Sequence, residues 1–295
     1  MSARLYLTRG RNQESMRSPS DAEATIASNI ELFIARLTLK AWHWTNLDPW
    51  QREILNAKDR YLHITASRQS GKSSIMACKV FHTLLTEPNI LVLIVAEQRQ
   101  SNEDMRKVKE LAKTYDRILR EKYGGELTLT PVSENITSME LPNGSRCISL
   151  PGNEKVRGYS KPRILWLDED AFLDDEVFIG VDPMIEVSPE AQLVLSSTPN
   201  GTSGHFYHGS KDPRYRKFVV PWTMCPRISP ESIEAKRITI GDAYVKQEYE
   251  CQYLDELTSL FTEDGLRDSM DDTESVFAED MKTITQAIAG EIELI

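Results

Sequence analysis

Apolar and polar positions alternate along the chain in a way that predicts strands interleaved with helices. Tyr61-Leu-His-Ile-Thr65 is a short β-like run, and apolar residues recur at helical spacing from Ile75 to Leu85. Ile90 to Ala96 is apolar throughout and rich in β-branched side chains, which suits a parallel strand covered on both faces. A charged helix is predicted from about Ser101 to Lys122, stopped by Gly124-Gly125. Thr137–Leu141 and Ser145–Leu150, joined through Pro-Asn-Gly, have the alternation of a β-hairpin. Ile164–Leu167 and Gln192–Leu195 read as two further buried strands. Strands alternating with helical segments predict an α/β fold, a doubly wound and mostly parallel sheet.

The flanks are patterned differently. Ser20 and Glu23 have capping-box spacing ahead of one apolar helical face, Ile26, Ile30, Phe33, Ile34 and Leu37. Asp48-Pro49 reads as the start of a second helix. Trp42, Trp44 and Trp50 are expected to anchor both to the main domain. From about Cys225 the pattern is mostly helical, with Ile228 to Tyr253 as a small flanking unit. Beyond Asp255 it is acidic and weak, apart from a short helix expected near Met281–Leu294. The expected divisions are an arm and helix at 1–40, a core at 41–224, a helical lid or linker at 225–255 and an acidic tail at 256–295.

Composition narrows the class. Of 295 residues 40% are hydrophobic, which suits a globular core, and no apolar run approaches the ~20 residues of a membrane span. No membrane role and no secretory signal is expected. The cysteines Cys78, Cys147, Cys225 and Cys251 are far apart and form no zinc or redox motif. The formal net charge is −10, but residues 255–295 hold twelve Asp/Glu against two Lys/Arg, so residues 1–254 carry 33 of each sign. The acidity belongs to the tail and leaves a nucleic-acid partner open for the body.

Candidate chemistry lies at three predicted strand ends. Ala66-Ser-Arg-Gln-Ser-Gly-Lys-Ser-Ser74 joins a strand to a helix through small residues, the arrangement of a phosphate cradle, with Ala66 where the usual pattern has its first glycine. Ser67, Arg68, Gln69, Ser70, Gly71, Lys72, Ser73 and Ser74 would surround the phosphates of ATP. Lys72 would reach the β/γ-phosphates and Ser73 would hold Mg²⁺. Asp168-Glu169 emerges from the next buried strand, where Asp168 would orient Mg²⁺ and Glu169 would polarise the attacking water. An Asp-Glu pair by itself is ordinarily a solvated loop; its order after Gly-Lys-Ser gives it meaning. Ser197, Thr198 and Asn200 follow the third strand. Gln51 either reads an adenine edge through its amide or is an ordinary surface glutamine.

These stretches together resemble the large terminase subunit of tailed bacteriophages, the motor that packs DNA into capsids. The resemblance is carried by Ser67 to Ser73, Arg157-Gly158-Tyr159, Ile164 to Glu169, Ser197-Thr-Pro-Asn-Gly201 and, for adenine, Asp48-Pro-Trp-Gln51. It covers approximately residues 45–255 and implies a RecA-like P-loop NTPase fold with ATP and Mg²⁺ as cofactors. By that resemblance Arg68 acts in cis on the γ-phosphate. Arg157 matches a position that acts in trans on a neighbouring subunit's ATP, with a hairpin or DNA contact as the alternative. Ser197, Thr198 and Asn200 match a coupling motif. The implied partners are double-stranded DNA, a portal protein, a small terminase subunit and further copies in a homo-oligomeric ring. The implied place is the host cytoplasm, transiently at the procapsid portal vertex.

The family usually carries a C-terminal two-metal nuclease. The ~40 residues after Asp255 are too few for a typical domain, so nuclease activity is not expected of this chain. Two other readings stand beside the motor: a superfamily 2 helicase-like DNA-dependent ATPase, and an ATP-gated binding module that does not turn over.

Overall fold

The computed structural model describes residues 8–9, 29–125, 127–153 and 158–255. The expected Ser20 cap, the helix near Met281–Leu294, the acidic tail and Arg157 lie outside them. In chain order the elements are β1 (Thr8–Arg9), α1 (Ile30–Trp42), α2 (Pro49–Asn56), β2 (Tyr61–Ala66), α3 (Lys72–Thr86), β3 (Leu91–Ala96) and α4 (Gln98–Tyr123). There follow β4 (Leu127–Thr128), β5 (Ser133–Asn135), β6 (Ser138–Glu140), β7 (Arg146–Pro151), β8 (Ile164–Asp168) and α5 (Asp175–Glu186). The chain continues with β9 (Gln192–Ser197), α6 (Gly204–Lys211), β10 (Arg216–Val220), α7 (Pro230–Ile240) and α8 (Asp242–Glu248).

Eight strands form one sheet in the order β10-β2-β9-β8-β3-β7-β6-β5. The pairings from β10 to β7 are parallel, and β7-β6-β5 is an antiparallel edge. The strand apolar residues divide by parity, as a pleat buried on both faces requires. Ile64, Ile94, Trp166 and Val194 join the helices α1 to α4 in one core; Leu93, Leu165, Leu193 and Leu195 join α5 and α6 in the other. The doubly wound sheet expected from the sequence is the observed fold.

Element boundaries shift where chemistry sits. α3 begins at Lys72, three residues before its apolar period, because its first turn belongs to the loop. α4 begins at Gln98 and ends on Gly124 in the left-handed region. Strand β10 was not expected: only Phe218 and Val220 of its five residues are buried, too little alternation to register as a strand. The three tryptophans divide as well. Trp50 is buried in the core under α2, whereas Trp42 and Trp44 pack against it partly exposed. The four cysteines are buried and free. Ile233, Val245 and Tyr249 form a separate small core in the flanking helical unit. Among the described residues, no helix is long and apolar enough to cross a membrane.

His63 breaks the aliphatic rule on β2. It is 1% exposed, stacks on Phe206 at 4.2 Å, and its Nε2 lies 2.8 Å from the Phe206 carbonyl oxygen. Burial lowers its pKa from 6.5 to about 4. The unfolded chain therefore binds a proton there that the folded chain refuses between those values. Stability should fall as pH drops from 6.5 to about 4, by up to about 3 kcal/mol from this residue. Urea unfolding across that range should show a shallower pH slope for His63→Gln than for the wild type; parallel slopes would remove His63 from the acid response.

Candidate active site

The parallel register brings three strand ends level. Ser196 of β9 pairs with Ile64 of β2 on one side and with Asp168 of β8 on the other, and Thr65 pairs with Ser197. The segments leaving these strands, from Ser67, Glu169 and Thr198, therefore open on one edge of the sheet. In open α/β sheets that carboxyl edge is where ligands bind.

The loop from Ser67 to Gly71 turns the chain from β2 into α3. Gln69 and Gly71 have positive φ, 57° and 93°. The positive φ of Gly71 favours glycine, and a Cβ there would also make tight 3.3 Å contacts with Gln51 Nε2 and the Trp44 ring. Every residue from 67 to 74 lines a cavity of about 350 Å³, closed on other sides by Lys107, Glu169 and Thr198. The first amides of α3 lack intrahelical acceptors, as in any helix start, and so suit an anion there.

Lys72, Ser73, Asp168 and Glu169 converge. Ser73 Oγ donates to Asp168 Oδ2 at 2.7 Å. Lys72 Nζ lies 3.2 Å from Glu169 Oε1 and 3.6 Å from Asp168 Oδ1. Burial opposes the Lys72 charge, but the two carboxylates outweigh it and raise its pKa. Asp168 is fully buried; burial opposes its ionisation too, but Lys72 and the hydroxyls of Ser196 and Ser73 hold it below its ordinary value. Ser196 Oγ accepts from Trp166 Nε1 at 2.8 Å and donates to Asp168 Oδ1 at 2.6 Å. Gln100 Nε2 donates to Asp168 Oδ2 at 3.0 Å and lies 3.2 Å from Asp104 Oδ1. Burial, then the nearby Asp168, push Asp104 up to about 8.

The other expected residues fall around this centre. Ser197 Oγ donates to Glu169 Oε2 at 3.3 Å, and Asn200 Nδ2 donates to the Ala171 carbonyl at 3.1 Å. Arg68 leans toward the helical unit: its NH1 lies 3.5 Å from Glu248 Oε2 and 3.4 Å from the Tyr244 hydroxyl. Gln51 is not a surface residue. It is fully buried, and its Oε1 accepts from the Asp48 backbone N–H at 2.9 Å to cap α2. Arg227, unmarked in the sequence, donates to Asp48 Oδ2 at 2.7 Å and to the Ser70 carbonyl at 2.9 Å, tying loop to cap. Gln100, Asp104, Ser196 and Glu248 also escaped the sequence reading. The signal for Gln100 and Asp104 was their i, i+4 spacing just after an apolar strand.

Whether ATP and Mg²⁺ suit these residues can be judged from their unpaired atoms. Gln51 Nε2 and Ser70 Oγ are buried without a hydrogen-bond partner, both beside the loop, and Lys72 Nζ has only its ion pairs with Asp168 and Glu169. Ser73 and Asp168 supply the hard oxygens that Mg²⁺ takes. The site fits both. A second cavity, about 520 Å³, opens among residues that precede β2, β8 and β9. There Arg163 pairs with Glu87 and Lys79 donates to three carbonyls, while Arg60 Nε is buried without a partner.

A phosphate-loop strand separated from the Asp168 strand by one intervening strand, with helices on both faces, defines a RecA-like P-loop fold. Residues 63–267 match the family described as terminase large subunit, T4likevirus-type, N-terminal, and the chain belongs to that family. It is 30% identical over 219 residues to the large terminase subunit of Escherichia phage T5, covering 69% of this chain and 47% of that protein. The chain thus spans about half the length of that relative. The large terminase ATPase domain of Thermus phage P74-26 superposes with a TM-score of 0.56 at 19% identity, over 73% of this chain and 97% of that one. A large terminase from a thermophilic bacteriophage, solved in complex with ATP-gamma-S, gives 0.55 at 11% identity, over 74% and 56%.

Ser196→Ala would leave Trp166 Nε1 and Asp168 Oδ1 short of a partner inside the sheet. It should cost about 2–4 kcal/mol in denaturant unfolding. A loss under about 1 kcal/mol would show that the hydroxyl is dispensable to the buried charge.

Proposed function

We propose that this chain is the ATP-hydrolysing motor part of a terminase, driving double-stranded DNA into a viral procapsid. The observation that carries the proposal is the meeting of Lys72 and Ser73 with Asp168 and Glu169 at one strand edge. Membership of the terminase large-subunit family and the nucleotide-bound relative of the same fold support it.

In this reading ATP lies along residues 67–74, with Lys72 at the β/γ-phosphates and Gln51 toward the adenine. Ser73 and Asp168 would hold Mg²⁺, which would neutralise charge on the phosphates. Glu169 accepts the proton of the attacking water. Arg68 stabilises the γ-phosphate in cis, and Arg157 does so from a neighbouring copy in the ring. Ser197, Thr198 and Asn200 register the state of Glu169 and its turn, and carry it toward the DNA-gripping parts. Residues 225–255 act as a lid, and the portal and small subunit are partners.

Lys72→Ala should weaken ATP binding at least tenfold or so and abolish turnover, since it removes the charge-assisted contact to the phosphates. Glu169→Gln should bind ATP normally and lose about 10²–10⁴ in turnover, the range of a general base. Equilibrium binding of a fluorescent ATP analogue, run beside phosphate release with and without duplex DNA, separates the two. Normal turnover in Glu169→Gln would remove the base from the proposal; tight ATP binding without hydrolysis in the wild type, even on DNA and in a ring, would replace the motor by a gated binding module.

A further inference from the structure

Glu169 and the backbone just past it are gripped by the end of β9 and the segment that follows it. Glu169 itself is in the left-handed region at φ 51° and leads into a 3-10 turn, Asp170–Phe172. Ser197 contacts the Glu169 side chain, and Asn200 contacts the Ala171 carbonyl. The third contact is His205, in the first turn of α6. Its Nε2 lies 2.7 Å from Asp170 Oδ1, and its Nδ1 lies 2.7 Å from Asp175 Oδ1 at the start of α5. Asp175 Oδ1 also accepts the His205 backbone N–H at 2.9 Å, and the imidazole stacks on Phe178 at 4.8 Å.

Both ring nitrogens face carboxylate oxygens, an arrangement that a doubly protonated ring satisfies by donating to both; burial raises the Asp170 pKa, and the His205 bond works against that rise. Burial opposes the charge of the ring, but Asp170 and Asp175 outweigh that and raise its pKa. Asp170 is fully buried, and its Oδ2 has no hydrogen-bond partner. The bond from His205 is therefore what compensates the carboxylate next to Glu169. A buried ion pair is poor value for stability alone, since well-packed apolar residues serve as well or better. Its use here is geometric: it fixes the residue adjoining Glu169 to the first turns of two helices.

We infer that His205 is a positioning residue for Glu169, acting through Asp170 and Asp175 to hold the turn that aims the Glu169 carboxylate at the phosphate loop. The inference rests on the ATPase reading and extends the coupling segment to a residue that the sequence did not mark.

His205→Phe keeps a ring on Phe178 and removes both hydrogen bonds; Asp175→Asn, at an exposed position, loosens one side. ATP turnover, KM and ATP-gamma-S affinity are measured with the melting temperature of each variant. For His205→Phe, kcat should fall about 10- to 100-fold, the cost of a misplaced catalytic group, while KM and nucleotide affinity stay within about twofold. Added imidazole should restore part of the turnover of His205→Gly. Wild-type kcat in His205→Phe, or losses in kcat and affinity that follow the melting temperature together, would overturn the inference. If His205→Phe does not fold, unchanged kcat in Asp175→Asn overturns it and a severalfold loss at constant KM upholds it. A wild type that fails to hydrolyse ATP sinks the ATPase reading and this inference with it; an active wild type with unaffected variants sinks only the positioning role.

Discussion

A fully buried carboxylate at the end of a central strand is the constraint around which this structure is arranged. Taking Asp168 out of water costs several kcal/mol unless it is paired and hydrogen-bonded. Four side chains from three elements compensate it. Ser73 and Lys72 come from α3, Ser196 from β9, and Gln100 from α4. Each lies there because strand order puts β9 on one side of β8 and β3, which leads into α4, on the other. The phosphate loop cannot move far from the sheet without exposing this charge to loss of its partners. The same contacts that stabilise the carboxylate hold the loop open in a cavity of about 350 Å³.

The loop has two further attachments of different strength. On the inner side Arg227 joins the Ser70 carbonyl to Asp48, and Gln51 backs against Gly71. Gln51 and Asp48 are buried, and Arg227, itself exposed, reaches in to join Asp48 to the loop. On the outer side Arg68 meets Glu248 and Tyr244 with more than half of its own side chain exposed. An ion pair so open to solvent contributes little, typically under about 1 kcal/mol. The backbone bond from the Arg68 N–H to the Glu248 carbonyl at 2.9 Å is the firmer link between loop and helical unit.

Sequence pattern reached the fold because both faces of the sheet are buried. Val92 to Ala96 and Ile164 to Leu167 are apolar without interruption, which few elements other than central parallel strands require. It missed β10, whose edge position leaves three of five residues exposed. It reached Lys72, Ser73, Asp168 and Glu169 because they adjoin strand ends and follow local motifs. It gave Gln51 as an adenine reader or a surface residue and could not tell a buried amide from an exposed one: its cap to Asp48 is local, but its burial depends on packing beside Gly71. Gln100, Asp104, Ser196, Glu248 and His205 carry no motif of their own. Each matters through a partner 28 or more residues away or, for Asp104, through a carboxylate reached across the fold. Such pairings exist only once the sheet has closed.

The two sides of the sheet make different demands on the same turn. Facing α3, Asp168 is ionised, saturated with donors and fixed. Two residues on, facing α6, Asp170 is equally buried but has one oxygen unpaired and leans on a single imidazole. Between them Glu169 sits in a backbone conformation that non-glycine residues adopt at a cost of about 1–3 kcal/mol. A strained residue between two buried carboxylates keeps its geometry only while both neighbours are held. The Asp168 side is held by the phosphate loop, and the Asp170 side by the segment after β9. The orientation of Glu169 is thus the point at which the loop and the segment after β9 are mechanically joined.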